Sequence, residues 1–177
     1  MAVSGDRARS WVAASARGDG ASIALAGDVD GDGQDDFISF HPGTATWSAA
    51  TIDGTAIFAD LAFGNPENHN HPMVADVDGD GQDDLAIWDE SVGRFFTSDA
   101  TGNPLVGNIR IGNPGQRPFL ADVNGDGKSD FVVWVPTSAR WYVIDADGTT
   151  RHTWGLRWGN PGDIPLFGDV DGWAPTT

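Results

Sequence analysis

The chain contains no cysteine, which excludes disulfides, thiolate metal sites and cysteine nucleophiles together. Its only glutamates, Glu67 and Glu90, are expected in turns of different repeats, and nothing beyond the residue types suggests a paired-carboxylate glycosidase. The four histidines, His41, His69, His71 and His152, are scattered, and no Cys or Asp framework near His69 and His71 completes a zinc site. Nothing beyond the presence of the residue types supports a Ser-His-Asp triad, so an enzyme is not expected. No apolar run approaches the ~20 residues of a membrane-spanning helix. Met1-Ala-Val-Ser-Gly-Asp6 lacks the apolar region of a signal peptide, so an exported protein is expected to have lost its leader or to be longer than this chain. Positive charge is scarce: 10 Lys and Arg against 26 Asp and Glu give a formal charge of −16. With no basic stripe, nucleic acid is not an expected partner, and neither is an anionic membrane surface.

The acidic residues that are present are concentrated. Fifteen of the 26 fall in one nine-residue design and its remnant. The design reads Asp28-Val-Asp-Gly-Asp-Gly-Gln-Asp-Asp36, Asp76-Val-Asp-Gly-Asp-Gly-Gln-Asp-Asp84 and Asp122-Val-Asn-Gly-Asp-Gly-Lys-Ser-Asp130, and it breaks off at Asp169-Val-Asp-Gly172. Side-chain oxygens stand at positions 1, 3, 5 and 9 of each complete copy, and glycines at 4 and 6 let the backbone curl until they converge. A hard cation such as calcium takes six to eight oxygen ligands, often with a backbone carbonyl from position 7. The expected ligand sets are therefore Asp28, Asp30, Asp32, Gln34 and Asp36; Asp76, Asp78, Asp80, Gln82 and Asp84; and Asp122, Asn124, Asp126, Lys128 and Asp130, with Gln34, Gln82 and Lys128 contributing carbonyls. Three calcium ions would return six of the missing positive charges. Asp35 and Asp83 at position 8 are expected to point outward, and Asp169 and Asp171 to be vestigial. An EF-hand is excluded, because position 12 holds Ser39, Ile87 and Val133 rather than a bidentate glutamate.

Apolar runs flank every loop. Ile23 to Ala26, Pro72 to Ala75 and Pro118 to Ala121 lead in, and Phe37 to Phe40, Leu85 to Trp88 and Phe131 to Trp134 lead out, so each loop is expected at the tip of a β-hairpin. The first aspartates are 48, 46 and 47 residues apart. A period of about 47 residues with four strand-like segments belongs to propellers rather than helical solenoids. With 24 Gly and 10 Pro for turns and eight Trp and nine Phe for a core, the expectation is an all-β fold. It is a single β-propeller domain over 1–177 with four-stranded blades, repeats at about 23–70, 71–116 and 117–163, and a partial blade from 1–22 and 164–177. The two termini are expected to assemble a fourth blade, which would hide the edge strands of the ring.

The motif Asp-Val-Asp-Gly-Asp-Gly-Gln-Asp-Asp followed by Phe or Leu, with Phe63-Gly64 and a recurring Gly-Asn-Pro, resembles the FG-GAP/VCBS repeat family. Its blades form integrin α-subunit heads, a fungal lectin and parts of many secreted bacterial proteins. The resemblance implies calcium in the loop between the first and second strands of each blade, and an extracellular or secreted setting. It also implies a non-catalytic module that binds glycans or an extracellular protein. The alternative is an adhesion or self-assembly scaffold, a homo-oligomer through its incomplete blade, or a fragment of a larger secreted propeller. Trp47, Trp88, Trp134, Trp141 and Trp158 recur at equivalent places, as core packing between blades requires. Tryptophan also makes a sugar platform, so Trp47 and Trp141 are candidate ligand contacts, together with His69, Asn70 and His71 in a stretch two residues longer than its counterparts.

Overall fold

Each loop does sit at a hairpin tip, and the hairpins are parts of larger sheets. The computed structural model describes residues 21–67 and 69–167. Twelve strands form three four-stranded antiparallel sheets, each a meander in chain order. The first sheet is β1 (Ile23–Gly27), β2 (Asp36–His41), β3 (Thr46–Ala50) and β4 (Ala56–Ala62). The second is β5 (Asn70–Ala75), β6 (Asp84–Asp89), β7 (Arg94–Ser98) and β8 (Pro104–Arg110). The third is β9 (Arg117–Ala121), β10 (Asp130–Val135), β11 (Arg140–Ile144) and β12 (Arg151–Arg157). β1 lies beside β5 and β5 beside β9, so consecutive sheets meet at their first strands and stack face to face like propeller blades. The fourth blade expected from 1–22 and 164–177 falls mostly outside the described residues, as do Asp169 and Asp171; its described parts, 21–22 and 164–167, form no strand.

The sequence pattern explains which sheet lies where. In β6 every residue of Asp-Leu-Ala-Ile-Trp-Asp is buried, and in β10 only the last residue of Asp-Phe-Val-Val-Trp-Val is not. A strand covered on both faces reads as a continuous apolar run. In β2 burial alternates: Ile38 and Phe40 point into the core while Phe37, Ser39 and His41 do not. Two cores result. Ile23, Leu25, Ile38, Phe40 and Trp47 of the first blade meet Leu85 and Ile87 of the second. Trp88, Phe95 and Ala86 of the second blade meet Leu120, Phe131, Val133 and Ile144 of the third.

A recurring aromatic pair ties the second and third strands of each blade to the end of the fourth. The pairs are Phe40 with Trp47, Trp88 with Phe95 and Trp134 with Trp141, with ring centroids 4.9, 6.4 and 6.1 Å apart. One indole in each pair donates to a carbonyl just past the fourth strand: Trp47 to Phe63 at 2.9 Å, Trp88 to Ile111 at 3.1 Å and Trp141 to Trp158 at 3.0 Å. The donor comes from the third strand in two blades and from the second strand in the middle blade. The same bond is thus kept with the Trp and Phe exchanged.

Candidate metal-binding loops

Each loop is held by its own carboxylates. In the first, Asp28 accepts from the backbone N–H of Gly31 at 2.8 Å and of Gly33 at 2.9 Å. Asp30 accepts from Asp32 at 3.0 Å, Asp32 from Gln34 at 2.7 Å and Asp36 from Val29 at 3.0 Å. The second loop repeats this set with Asp76, Asp78, Asp80 and Asp84, at 2.6 to 3.1 Å. The third repeats it with Asp122, Asn124, Asp126 and Asp130. The glycines at positions 4 and 6 have φ between 77° and 92° in all three loops, the left-handed region that glycine alone enters without strain. Position 1 therefore organises the turn, while positions 3 and 5 bond forward along it and position 9 closes it from the second strand.

This arrangement gathers acidic oxygens. Ligand atoms of Asp28, Asp30 and Asp32 lie within 4.8 Å of one another, and so do those of Asp76, Asp78 and Asp84. Oxygens on opposite sides of a calcium ion are about 5 Å apart, so the spacing fits such an ion. Burial raises the cost of charge here. It pushes Asp84 up to about 7 and Asp130 up to about 6, with the neighbouring loop carboxylates adding repulsion at Asp84, and it raises Asp36 and Asp76 as well. A divalent cation would remove that cost by favouring the ionised forms.

The third loop differs. Its close group is Asp130 with Asp145 and His152, which come from the end of β11 and from β12. His152 Nε2 lies 2.7 Å from Asp145, and Asn124 reaches both, at 3.1 and 3.2 Å. Where Asp30 and Asp78 carry a carboxylate, Asn124 is neutral, and Asp145 brings one in from the adjoining turn. The equivalent places hold Thr51 and Ile57 in the first blade and Asp99 and Leu105 in the second, so no repeated motif announced Asp145 and His152.

Asp83 does not point outward as expected. It is 8% exposed; its Oδ2 accepts from the N–H of Asp28 at 2.8 Å, and its own N–H donates to the Asp28 carbonyl at 2.7 Å. Position 8 of one loop thus clasps position 1 of the loop before it. Ser129 repeats the backbone half, donating to the carbonyl of Asp76 at 2.7 Å. Burial pushes the Asp83 carboxyl up to about 6. Asp35, with no preceding blade among the described residues, stands exposed as expected.

The aromatic and histidine candidates are mostly withdrawn from solvent. Trp47 is fully buried between the first two blades and presents no ring face to a sugar, which removes it as a platform. Trp141 is half-buried beneath Phe119 and Phe167, whose rings lie 6.4 and 5.4 Å away. Asn70 and His71 are not loop residues but the first two residues of β5. Asn70 donates to the Asn65 carbonyl at 2.6 Å, and His71 packs edge-on against Trp88 and lies 3.2 Å from Glu90. Only His69 of that stretch is exposed. Trp158, expected in the core, is 75% exposed. Its counterpart Ile111 is buried by the following blade, and no described element covers Trp158 in the same way.

Three meander sheets, each turning through the same acidic loop between its first and second strands, define a repeat protein built from propeller-type blades. Residues 28–87 match the model of the FG-GAP-like repeat. Neither a curated protein nor a solved structure matched the chain.

Proposed function

We propose that the chain is a calcium-binding, non-catalytic β-propeller module of an extracellular protein, and that it binds glycans or another extracellular ligand. The observation that carries the calcium assignment is the convergence of Asp28, Asp30 and Asp32, and of Asp76, Asp78 and Asp84, in loops of one repeated geometry. The residues that would hold the ions are the carboxylates at positions 1, 3, 5 and 9 and the carbonyls of Gln34, Gln82 and Lys128. In the third loop Asn124 takes position 3, and Asp145 stands close enough to restore the charge. The ion supplies charge compensation and stiffness; the chain's own backbone bonds shape each loop around it. Calcium loops of this sort fill where calcium is near millimolar, which accords with an extracellular setting.

Thermal melting in millimolar calcium and in excess chelator tests the assignment. A site filled a hundredfold above its Kd adds about 2.7 kcal/mol, so chelation is expected to lower the melting temperature by many degrees. A melt indifferent to chelator overturns the reading.

A second reading, a self-assembling scaffold, is favoured by one observation. Trp154, Leu156, Trp158, Ile164 and Leu166 beside the third blade are all at least half exposed. Such a surface suits a further blade, from the termini of this chain or from a second copy. A light-scattering mass that stays monomeric at every concentration counts against assembly between chains.

A further inference from the structure

The blades present equivalent faces toward the blade before them. In the second this face holds Leu85 and Ile87, with Phe96 opposite Ile87; in the third it holds Phe131 and Val133, with Tyr142 opposite Val133. Leu85, Ile87, Phe131 and Val133 are buried there against the neighbouring blade. The same register in the first blade puts Phe37 and Ser39 on β2 and Ser48 opposite Ser39 on β3. Two hydroxyls thus replace two apolar side chains, and the face opens into a polar cleft of about 260 Å³ that Ser39, His41, Thr44, Thr46, Ser48 and Asp60 line.

The groups in this cleft are partly prearranged and partly unspent. The Thr44 hydroxyl links Thr46 at 2.7 Å to Nδ1 of His41 at 3.2 Å. Ser48 accepts from the Asp60 N–H at 3.1 Å, which fixes the bulge from which Asp60 projects. Among the described residues nothing donates to the Asp60 carboxylate, and the Ser39 hydroxyl has no hydrogen-bond partner. Phe37, 58% exposed and two residues before Ser39 on the same strand face, supplies an apolar ring beside the polar groups. No lysine or arginine occurs anywhere in residues 21–67.

We propose that this cleft binds one ring of a neutral sugar. Asp60 accepts from two adjacent hydroxyls of the ring, as a carboxylate's two oxygens permit. Ser39, Ser48 and His41 exchange further hydrogen bonds with it, and Phe37 covers an apolar ring face. None of the described residues lining the cleft is a lysine or arginine, so the Asp60 carboxylate disfavours sialic acids and uronates. The inference rests on the ligand-binding reading given above and locates its site.

Saturation-transfer NMR in calcium tests it, with methyl α-D-mannoside, methyl β-D-galactoside and methyl α-L-fucoside as neutral probes and N-acetylneuraminic acid as the anionic one. Two variants borrow residues from the second blade. Ser39→Ile copies Ile87, and Asp60→Asn copies Asn108, which occupies the same left-handed bulge with φ 63° against 54° for Asp60. The expected result is transfer to at least one neutral probe and none to the anion. Ser39→Ile abolishes that transfer and Asp60→Asn weakens binding by about tenfold, while the calcium-linked melting shift persists in both. Undiminished transfer in both variants overturns the cleft and leaves glycan binding elsewhere standing. No transfer to any neutral probe overturns the cleft as a neutral-sugar site and leaves binding of another extracellular ligand standing. Equal binding of N-acetylneuraminic acid overturns the selectivity.

Discussion

Gly27 is glycine because of a residue 56 positions away. A Cβ placed on it would stand 2.6 Å from Oδ2 of Asp83 and 2.7 Å from Cγ1 of Val74. The equivalent positions, Ala75 and Ala121, carry a methyl group; beside Ala75 the clasping residue is the shorter Ser129. The pairing of glycine with aspartate and of alanine with serine is thus steric compensation between adjacent loops. Gly27→Ala is expected to destabilise the protein by about 1–3 kcal/mol, an overpacking cost, measured by urea denaturation in calcium. Adding Asp83→Ser should recover part of the loss, and strict additivity of the two changes would refute the contact. None of this was legible in the sequence, where Asp35 and Asp83 occupy identical motifs. What separates them is the neighbouring blade, a relation that position within one repeat does not encode.

At the scale of the element, the strands beside the loops were readable because their apolar runs are bounded by glycine, proline and aspartate. The second strands differ as their coverage does: Leu-Ala-Ile-Trp and Phe-Val-Val-Trp are apolar throughout and buried on both faces, whereas Phe-Ile-Ser-Phe alternates. The start of β5 does not read as a strand, since His69-Asn70-His71 is polar and lacks β-branched residues. It is extended because Asn70 and His71 pair with Asp89 and Trp88 across the sheet. Asp145 and His152 escaped notice because seven residues and a turn separate them, and only the β11–β12 pairing brings them together. Within the loops, Asp30→Ala and Asp78→Ala each remove a position-3 carboxylate. Each should diminish the calcium-dependent part of stability by about 1–3 kcal/mol. Asn124→Ala removes a neutral amide, and with Asp145 beside it the loss should stay under about 1 kcal/mol. Comparing each variant with and without chelator isolates the ion-dependent part, and equal losses in all three would contradict the ranking.

For the molecule as a whole, the buried carboxyls set a pH dependence that calcium should reverse. Burial lifts Asp84 to about 7 and Asp83 and Asp130 to about 6, above the ordinary value near 3.8 that the unfolded chain regains. Between roughly pH 4 and 7 the folded chain therefore holds protons that the unfolded chain has released, and raising the pH favours unfolding. In chelator, the melting temperature is expected to fall as pH rises from 4 to 8. In saturating calcium the cation takes the place of those protons, so the stabilisation that it adds should grow over the same interval. Scanning calorimetry at matched ionic strength checks both, and a chelated protein that becomes steadily more stable toward pH 8 would contradict the assignment.

The clasp between consecutive loops joins the proposed calcium sites into a coupled row rather than three separate vessels. The backbone of Asp28 is gripped by Asp83, and that of Asp76 by Ser129, so a loop drawn tight by its ion offers its neighbour a finished mould. An empty loop offers a loose one. Nearest-neighbour coupling of this kind would turn occupancy into a cooperative, sharp response to the proposed ion, and the first and third blades, each with one neighbouring blade among the described residues, are where the row is expected to come undone first.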